Sequence, residues 1–230
     1  AWGIKETVNR ITGMFAFAVW DRQLKTLTLA RDRIGEKPLY YGWQGRGNDA
    51  VFLFGSELKA LKVHPAFEKN INRGAISLQL RHNCIPAPYS IYEGIYKLRP
   101  GCLLSVSLED RSPKISTFWS GVQIAEEGMD KPYSGSAGEA IVELEALLMR
   151  AVGQQMISDV PLGAFLSGGV DSSTVVALMQ AQSSNSMSTF SIGFEDKDYN
   201  EAEAAKSVAN HLRTHHTELY ITNKDAMDVI

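Results

Sequence analysis

Ser167-Gly168-Gly169-Val170-Asp171-Ser172-Ser173 follows an apolar run, Val160-Pro161-Leu162-Gly163-Ala164-Phe165-Leu166, and precedes a helical pattern, Thr174-Val175-Val176-Ala177-Leu178-Met179. A strand that runs into a Ser/Gly loop and then opens a helix builds an anion site. Paired glycines let the backbone approach a ligand closely. The free N–H groups of the first helical turn point at that ligand, and the helix dipole favours negative charge there. Hydroxyls at Ser167, Ser172 and Ser173 add further donors. An isolated Ser-Gly-Gly is more often a plain turn. The full stretch, after a strand and before a helix, reads as a pyrophosphate or triphosphate site.

Two common phosphate motifs are excluded. No Lys follows the glycines, so this is not a Walker A loop, and G-x-G-x-x-G is absent. Asp171 stands in the loop instead. A bare carboxylate beside phosphate is repelled, so the pattern calls for a bridging Mg²⁺.

Outward from the loop, the second half of the chain alternates. Val160–Leu166 reads as a strand, followed by the loop and its helix. Met187 to Ile192 is the next strand. Asn200 then caps a helix with Glu203 at the box position, and Ala202, Ala205, Val208, Ala209 and Leu212 form its buried face. Thr217 to Ile221 is a third strand, and Asn223 to Ile230 a further helix. This β-α-β-α-β order means a parallel sheet with helices on its faces. Ligands bind such sheets beyond the carboxyl ends of the strands, which makes Ile192 a candidate adenine or ribose contact. Ser136 caps a preceding helix with Glu139 three residues on, and Ile141, Leu144, Leu147, Leu148 and Ala151 form its apolar stripe.

The first half reads as β-rich. A helix spans Trp2 to Ile11. Gly13 to Trp20 alternates small and aromatic residues, with Phe15, Phe17 and Trp20 expected in the core. Lys25 to Arg31 alternates cleanly and completes a hairpin. Leu39–Trp43 and Val51–Phe54 make a second pair, and Glu57 to Val63 a short helix. Residues 70 to 120 are punctuated by Pro86, Pro88, Pro100 and Gly101, with short strands at Leu103–Ser107 and Ser116–Trp119. Gly121 to Gly135 has little periodicity and reads as a linker.

The 230 residues suffice for one large or two small domains. Hydrophobic content of 44% and charged content of 21% are those of an ordinary globular protein. A net charge of −3 argues against a nucleic-acid partner. No apolar run reaches membrane-span length, and no signal peptide opens the chain. Cys84 and Cys102 give no disulfide framework, which fits a cytoplasmic protein. Both ends fall inside apparent helices, so a stretch of a longer protein is expected.

Asp159-Val160-Pro161-Leu162-Gly163-Ala164-Phe165-Leu166 together with Ser167–Ser173 resembles the pyrophosphate loop of glutamine-hydrolysing asparagine synthetases and their β-lactam-forming relatives, within the ATP-pyrophosphatase superfamily. Upstream, Gly13–Phe17, Arg31–Tyr41, Gly55–Leu61 and Pro86–Gly101 resemble, in order, the latter part of the glutaminase domain of the same enzymes. The resemblance implies an N-terminal-nucleophile-type antiparallel β-sandwich remnant over residues 1–120. A linker at 121–135 would follow, and then the parallel-sheet ATP-pyrophosphatase domain, adenine nucleotide α-hydrolase-like, over 136–230. The class is thus α/β and α+β.

The resemblance also implies the chemistry. ATP activates the side-chain carboxylate of aspartate with release of pyrophosphate, and ammonia from glutamine displaces AMP to give asparagine. Leu166 and Ile192 would touch the nucleotide. Ser167, Gly168, Gly169, Ser172 and Ser173 would hold pyrophosphate, and Asp171 would reach it through Mg²⁺. A homodimer is compatible with this reading. The glutaminase nucleophile, an N-terminal cysteine in these enzymes, does not match Ala1, and neither Cys84 nor Cys102 matches a nucleophile position. No glutaminase residue is therefore carried over. A second Ser-Gly-Glu-Gly loop and the aspartate pocket have no match here either, so the stretch is expected to be inactive alone.

The competing classes are relatives with another carboxylate acceptor, an ATP-pyrophosphatase acting on tRNA or a purine, and a non-catalytic nucleotide-binding remnant. The glutaminase-like blocks and the acidic balance oppose the tRNA reading. His211, His215 and His216 lack a Cys or carboxylate cluster at ligand spacing and are read as structural. Glu195-Asp196-Lys197-Asp198 reads as a solvated loop, with Asp196 a weak site candidate.

Overall fold

The computed structural model describes residues 2–194 and 200–228. The chain divides into two compact units, Ala1–Pro132 and Tyr133–Ile230. The Glu195–Asp198 loop, Asp196 included, lies outside the described residues, as does the end of the helix expected to reach Ile230.

The first unit holds α1 (Ile4–Arg10), β1 (Ala16–Asp21), β2 (Thr26–Arg31), β3 (Tyr40–Gln44), β4 (Val51–Gly55), α2 (Leu58–Lys62), α3 (Arg73–His82), β5 (Tyr96–Lys97), β6 (Cys102–Ser107), β7 (Lys114–Thr117) and α4 (Gly121–Asp130). Two antiparallel sheets form, in the orders β1-β2-β6-β7 and β4-β3-β5. The β1–β2 hairpin turns where Asp21 Oδ1 accepts from the N–H groups of Gln23 and Leu24, both at 2.8 Å. Leu29 of β2, Tyr41 of β3 and Leu104 of β6 bury into one cluster with Leu39 and Leu98, so both sheets share a core.

The connector Arg31–Pro38 is tied from both sides. Asp32 Oδ1 accepts from the backbone of Gly35 at 2.6 Å and Glu36 at 2.9 Å, and Oδ2 from Lys37 at 2.9 Å. The Arg31 guanidinium donates to the carbonyls of Lys37, Gly35 and Leu98. Asp32 is 1% exposed. Burial pushes its carboxyl up, but the converging backbone donors outweigh that and hold it below the ordinary carboxylate value.

Several expectations need correction here. Phe15 and Phe17 stack at 5.5 Å and pack on Val8, Ala30 and Leu103, but Trp20 is exposed rather than core. Strand alternation puts it on the face opposite Phe15 and Phe17, at the far end of an edge strand. The segment read as a linker is helical over Gly121–Asp130. Ser120 caps it, accepting from Gln123 N at 3.3 Å, and it buries no residue. Val122, Ala125 and Met129 share a face at helical spacing, and the Ser120 cap starts the helix. Helix α3, by contrast, lacks a clear apolar face. It is bounded instead by the Asn72 cap and by Asn83 in the left-handed region at φ 55°.

The second unit holds α5 (Ala137–Gln155), β8 (Gly163–Phe165), α6 (Val170–Gln182), β9 (Ser188–Phe194), α7 (Ala202–Leu212), β10 (His215–Ile221) and α8 (Asn223–Met227). β8, β9 and β10 form a parallel sheet in the order β10-β9-β8, with α6 and α7 as the crossovers. The capping box of Ser136 and Glu139 is present. Ala202, Ala205 and Ala209 of α7 are fully buried against Leu166 and Val176.

Three local readings differ. β8 is shorter than 160–166, because Pro161 has no N–H to donate and the Ser158 hydroxyl ties up Val160. The cap of α7 falls on Glu201 without a side-chain bond, while Asn200 Oδ1 accepts from Ala202 N at 3.1 Å. The stripe of α5 is amphipathic as read, yet Ile141 and Leu144 are 65% and 55% exposed, because no described element of this unit lies over that part of the helix.

Candidate functional site

The loop that follows β8 is held by long-range contacts. Leu166 is buried; its N–H donates to the Phe190 carbonyl at 2.9 Å. Its own carbonyl accepts from the buried Ser191 hydroxyl on the neighbouring strand. Beyond it, Gly168 adopts φ +77°, and a Cβ there would meet the backbone of Ala204 and Ala205 at under 3 Å. Only glycine lets the loop lie this close to α7.

Gly169 caps α6 without any side-chain bond, so the first-turn N–H groups face outward without a side-chain acceptor. The hydroxyls around them are only loosely engaged. Ser167 Oγ and Ser172 Oγ lie 2.8 Å apart, the Ser167 N–H donates to Ser172 Oγ at 3.2 Å, and the Gly169 N–H reaches Ser167 Oγ at 3.4 Å. Thr174 donates back to the Val170 carbonyl at 2.7 Å, as helical hydroxyls do. Ser173 does not: its Oγ is buried without a partner among the described residues. An orphaned buried hydroxyl costs free energy that an acceptor oxygen recovers. Asp171 is exposed in the first turn of α6, where the dipole favours its charge.

A cavity of about 290 Å³ opens beside this loop, beyond the carboxyl ends of β8 and β9. It brings together four of the sequence-predicted residues, Leu166, Ser167, Ser172 and Ile192. Gly168, Gly169, Asp171 and Ser173 belong to the adjoining loop and helix turn but are not in its wall. Phe165 and Phe190 supply apolar surface, and Ser191, Glu201 and Ala202 complete the lining. Those five were not read from the sequence. Glu201 had one legible signal, its place beside the cap of a helix that follows a strand end. The cavity is polar toward the loop and apolar toward Phe165 and Phe190, a division that suits a phosphate joined to a flat ring.

The histidines lie elsewhere. His216 Nδ1 is 2.9 Å from Thr189 Oγ1, which also meets Thr214 Oγ1 at 2.8 Å. Both His216 and Thr189 sit at the amino ends of their strands, opposite the loop. Among the described residues no three His, Cys, Asp or Glu side chains gather as a metal cluster. Cys84 is exposed; Cys102 is buried, its Sγ 3.6 Å from Thr117 Oγ1.

Comparison with known proteins covers nearly the whole chain. Residues 1–119 match the family model described as glutamine amidotransferase domain, and residues 143–230 match asparagine synthase. A protein of Methanocaldococcus jannaschii, provisionally named a glutamine-hydrolysing asparagine synthetase, is 38% identical over 228 residues, 98% of this chain and 42% of its own length. Glutamine-hydrolysing asparagine synthetase 3 of Bacillus subtilis is 31% identical over 97% of this chain and 37% of its own. Asparagine synthetase 1 of the same bacterium is 30% identical over 97% and 33%. The chain thus spans between a third and about two fifths of the length of these relatives. With an amidotransferase match on one side and a synthase match on the other, the chain belongs to the glutamine-hydrolysing asparagine synthetase family.

Proposed function

We propose that this chain is the central stretch of an enzyme that converts aspartate, glutamine and ATP into asparagine, glutamate, AMP and pyrophosphate. The observation that carries the proposal is the uncapped first turn of α6 beside a cavity lined by Leu166, Ser167, Ser172 and Ile192. That combination fits bound phosphate oxygens.

ATP supplies a leaving group that makes a carboxylate electrophilic. The residues of this chain do the holding. Backbone N–H groups of Gly169–Ser172 and the hydroxyls of Ser167, Ser172 and Ser173 bind the pyrophosphate part. Leu166 and Ile192 contact the nucleoside, with Phe165 and Phe190 excluding water from that side. Asp171, exposed in the first turn of α6, would hold a Mg²⁺ ion, which would supply positive charge to neutralise the phosphates. The amidotransferase-like unit belongs to the part that delivers ammonia from glutamine. A shielded path matters because ammonia in bulk water is mostly ammonium. The 230-residue stretch performs neither half reaction by itself. We place the enzyme in the cytoplasm, in keeping with two free cysteines. Among the described residues no helix is long and apolar enough to cross a membrane.

The test is exchange of labelled pyrophosphate into ATP by the full-length protein with Mg²⁺. Exchange that requires aspartate supports carboxylate activation and asparagine as product. Exchange indifferent to aspartate, or none at all, rules out aspartate as the acceptor and favours relatives that activate another carboxylate.

A further inference from the structure

The parallel sheet of the second unit is covered on one face only. Ala164 and Leu166 pack with Val176 of α6 and with Ala205 and Ala209 of α7. Thr189 and Ser191 of β9 are buried on that same face. Glu218 of β10 pairs there with Lys206 of α7 at 3.1 Å. Strand alternation sends Phe165, Phe190, Ile192, Phe194 and Leu219 to the other face. All five are 39–80% exposed. The register sets Phe165 beside Phe190 and Ile192 beside Leu219, so they form one apolar patch across three strands. All-parallel sheets bury both faces, because crossover helices lie on each. A nucleotide at the Ser/Gly loop does not account for the patch, since Phe194 and Leu219 are outside that cavity's wall.

The topology says what kind of segment fits. The chain steps from β8 to β9 to β10 in one direction, so right-handed crossovers put α6 and α7 on one face, as they do here. A right-handed crossover on the bare face must run the opposite way, back past β9 and β8. The strand it leads to then pairs with the free edge of β8. A second argument reaches the same edge. Ligands of open α/β sheets bind where the strand order reverses. The order β10-β9-β8 has no reversal, yet the Ser167–Ser173 loop follows β8. A parallel strand beside β8 puts the reversal at the loop. This second argument rests on the nucleotide reading above; the handedness argument does not. The stretch shared with the three relatives is 33–42% of their own lengths, so chains of this family hold the further residues that such a crossover needs.

We propose that, in the full-length protein, the chain beyond residue 230 lays the apolar side of a helix on Phe190, Ile192, Phe194 and Leu219, and then adds a parallel strand to the free edge of β8.

Two measurements on the full-length protein test this, and neither uses nucleotide, so they succeed or fail independently of pyrophosphate exchange. The first is Leu219→p-benzoylphenylalanine, irradiated and mapped by peptide mass spectrometry. The expected product joins position 219 to a peptide beyond residue 230 of the same molecule. Thermal melting checks that the variant is folded, and Phe194→p-benzoylphenylalanine carries the same probe if it is not. A crosslink to any peptide of residues 1–230, a product of doubled mass from a second copy, or no crosslink in a folded variant overturns the proposal. The second is hydrogen exchange of the unmodified protein. All amides of Gly163–Phe165 should exchange about a hundredfold more slowly than in an unstructured chain, those on the outer edge of β8 included. Outer-edge amides that exchange at the unstructured rate overturn the added strand.

Discussion

A side-chain carbon on Gly168 would stand 2.7 Å from the backbone nitrogen of Ala205. The Ser167–Ser173 loop and the start of α7 therefore touch backbone to backbone, and the shape of the loop depends on a contact between residues 37 positions apart in sequence. The Gly168→Ala variant meets both this contact and a left-handed φ of +77°. It should lose about 2–4 kcal/mol of stability. Urea denaturation measures this; a loss below about 1 kcal/mol would show that α7 gives way freely.

Ser191 ties the end of β9 to the entrance of the loop through the Leu166 carbonyl. Ser191→Ala leaves that buried carbonyl without its hydroxyl partner. A loss of about 1–3 kcal/mol is expected, with weaker nucleotide binding than in the parent protein. Stability and ATP affinity, measured on the same preparation, should fall together. Unchanged affinity in a destabilised variant would separate this hydrogen bond from the site.

Asp171 is exposed, so Asp171→Asn should leave stability within about 1 kcal/mol of the parent, the size of its interaction with the helix dipole. In the full-length enzyme the same change should cripple pyrophosphate exchange and flatten its dependence on Mg²⁺ concentration. Parent-like exchange by this variant would defeat the metal bridge.

Asp32 links stability of the first unit to pH. Its carboxyl is held below the ordinary value of 3.8 in the folded state. The stabilisation is thus fully present above that value and is lost as pH falls through the lower folded one. Asp32→Asn should cost about 1–3 kcal/mol at pH 7, because an amide NH2 replaces one carboxylate oxygen and leaves at least one backbone donor unmatched, while the remaining acceptor is neutral. Below about pH 4 the gap between parent and variant should narrow. Denaturation curves at pH 7 and in acid decide it, and a constant gap would remove Asp32 as the source.

Much of the fold was legible locally. Period-two alternation marks β2, and Ser136 with Glu139 marks the start of α5. The spacing of Ala202, Ala205 and Ala209 marks the buried face of α7. Helices α3 and α4 escaped notice because they bury almost nothing: Ala75 alone in α3 and no residue in α4, so the caps Asn72 and Ser120 were their clearest marks. Trp20 was grouped with Phe15 and Phe17, but strict alternation puts it on the opposite face of an edge strand, where it is exposed.

The sequence by itself determined the Ser/Gly loop, the order of strands and helices around it, and the residues Leu166, Ser167, Ser172 and Ile192 that meet at one cavity. These follow from short-range pattern, since dihedral preference, capping and periodicity act within a few residues. The tertiary structure decided what surrounds them. Glu201 reaches the cavity beside the loop, and Ser191 fixes the Leu166 carbonyl. Such neighbours are far apart along the chain. Only strand pairing and helix packing bring them together, and no local spacing encodes that proximity.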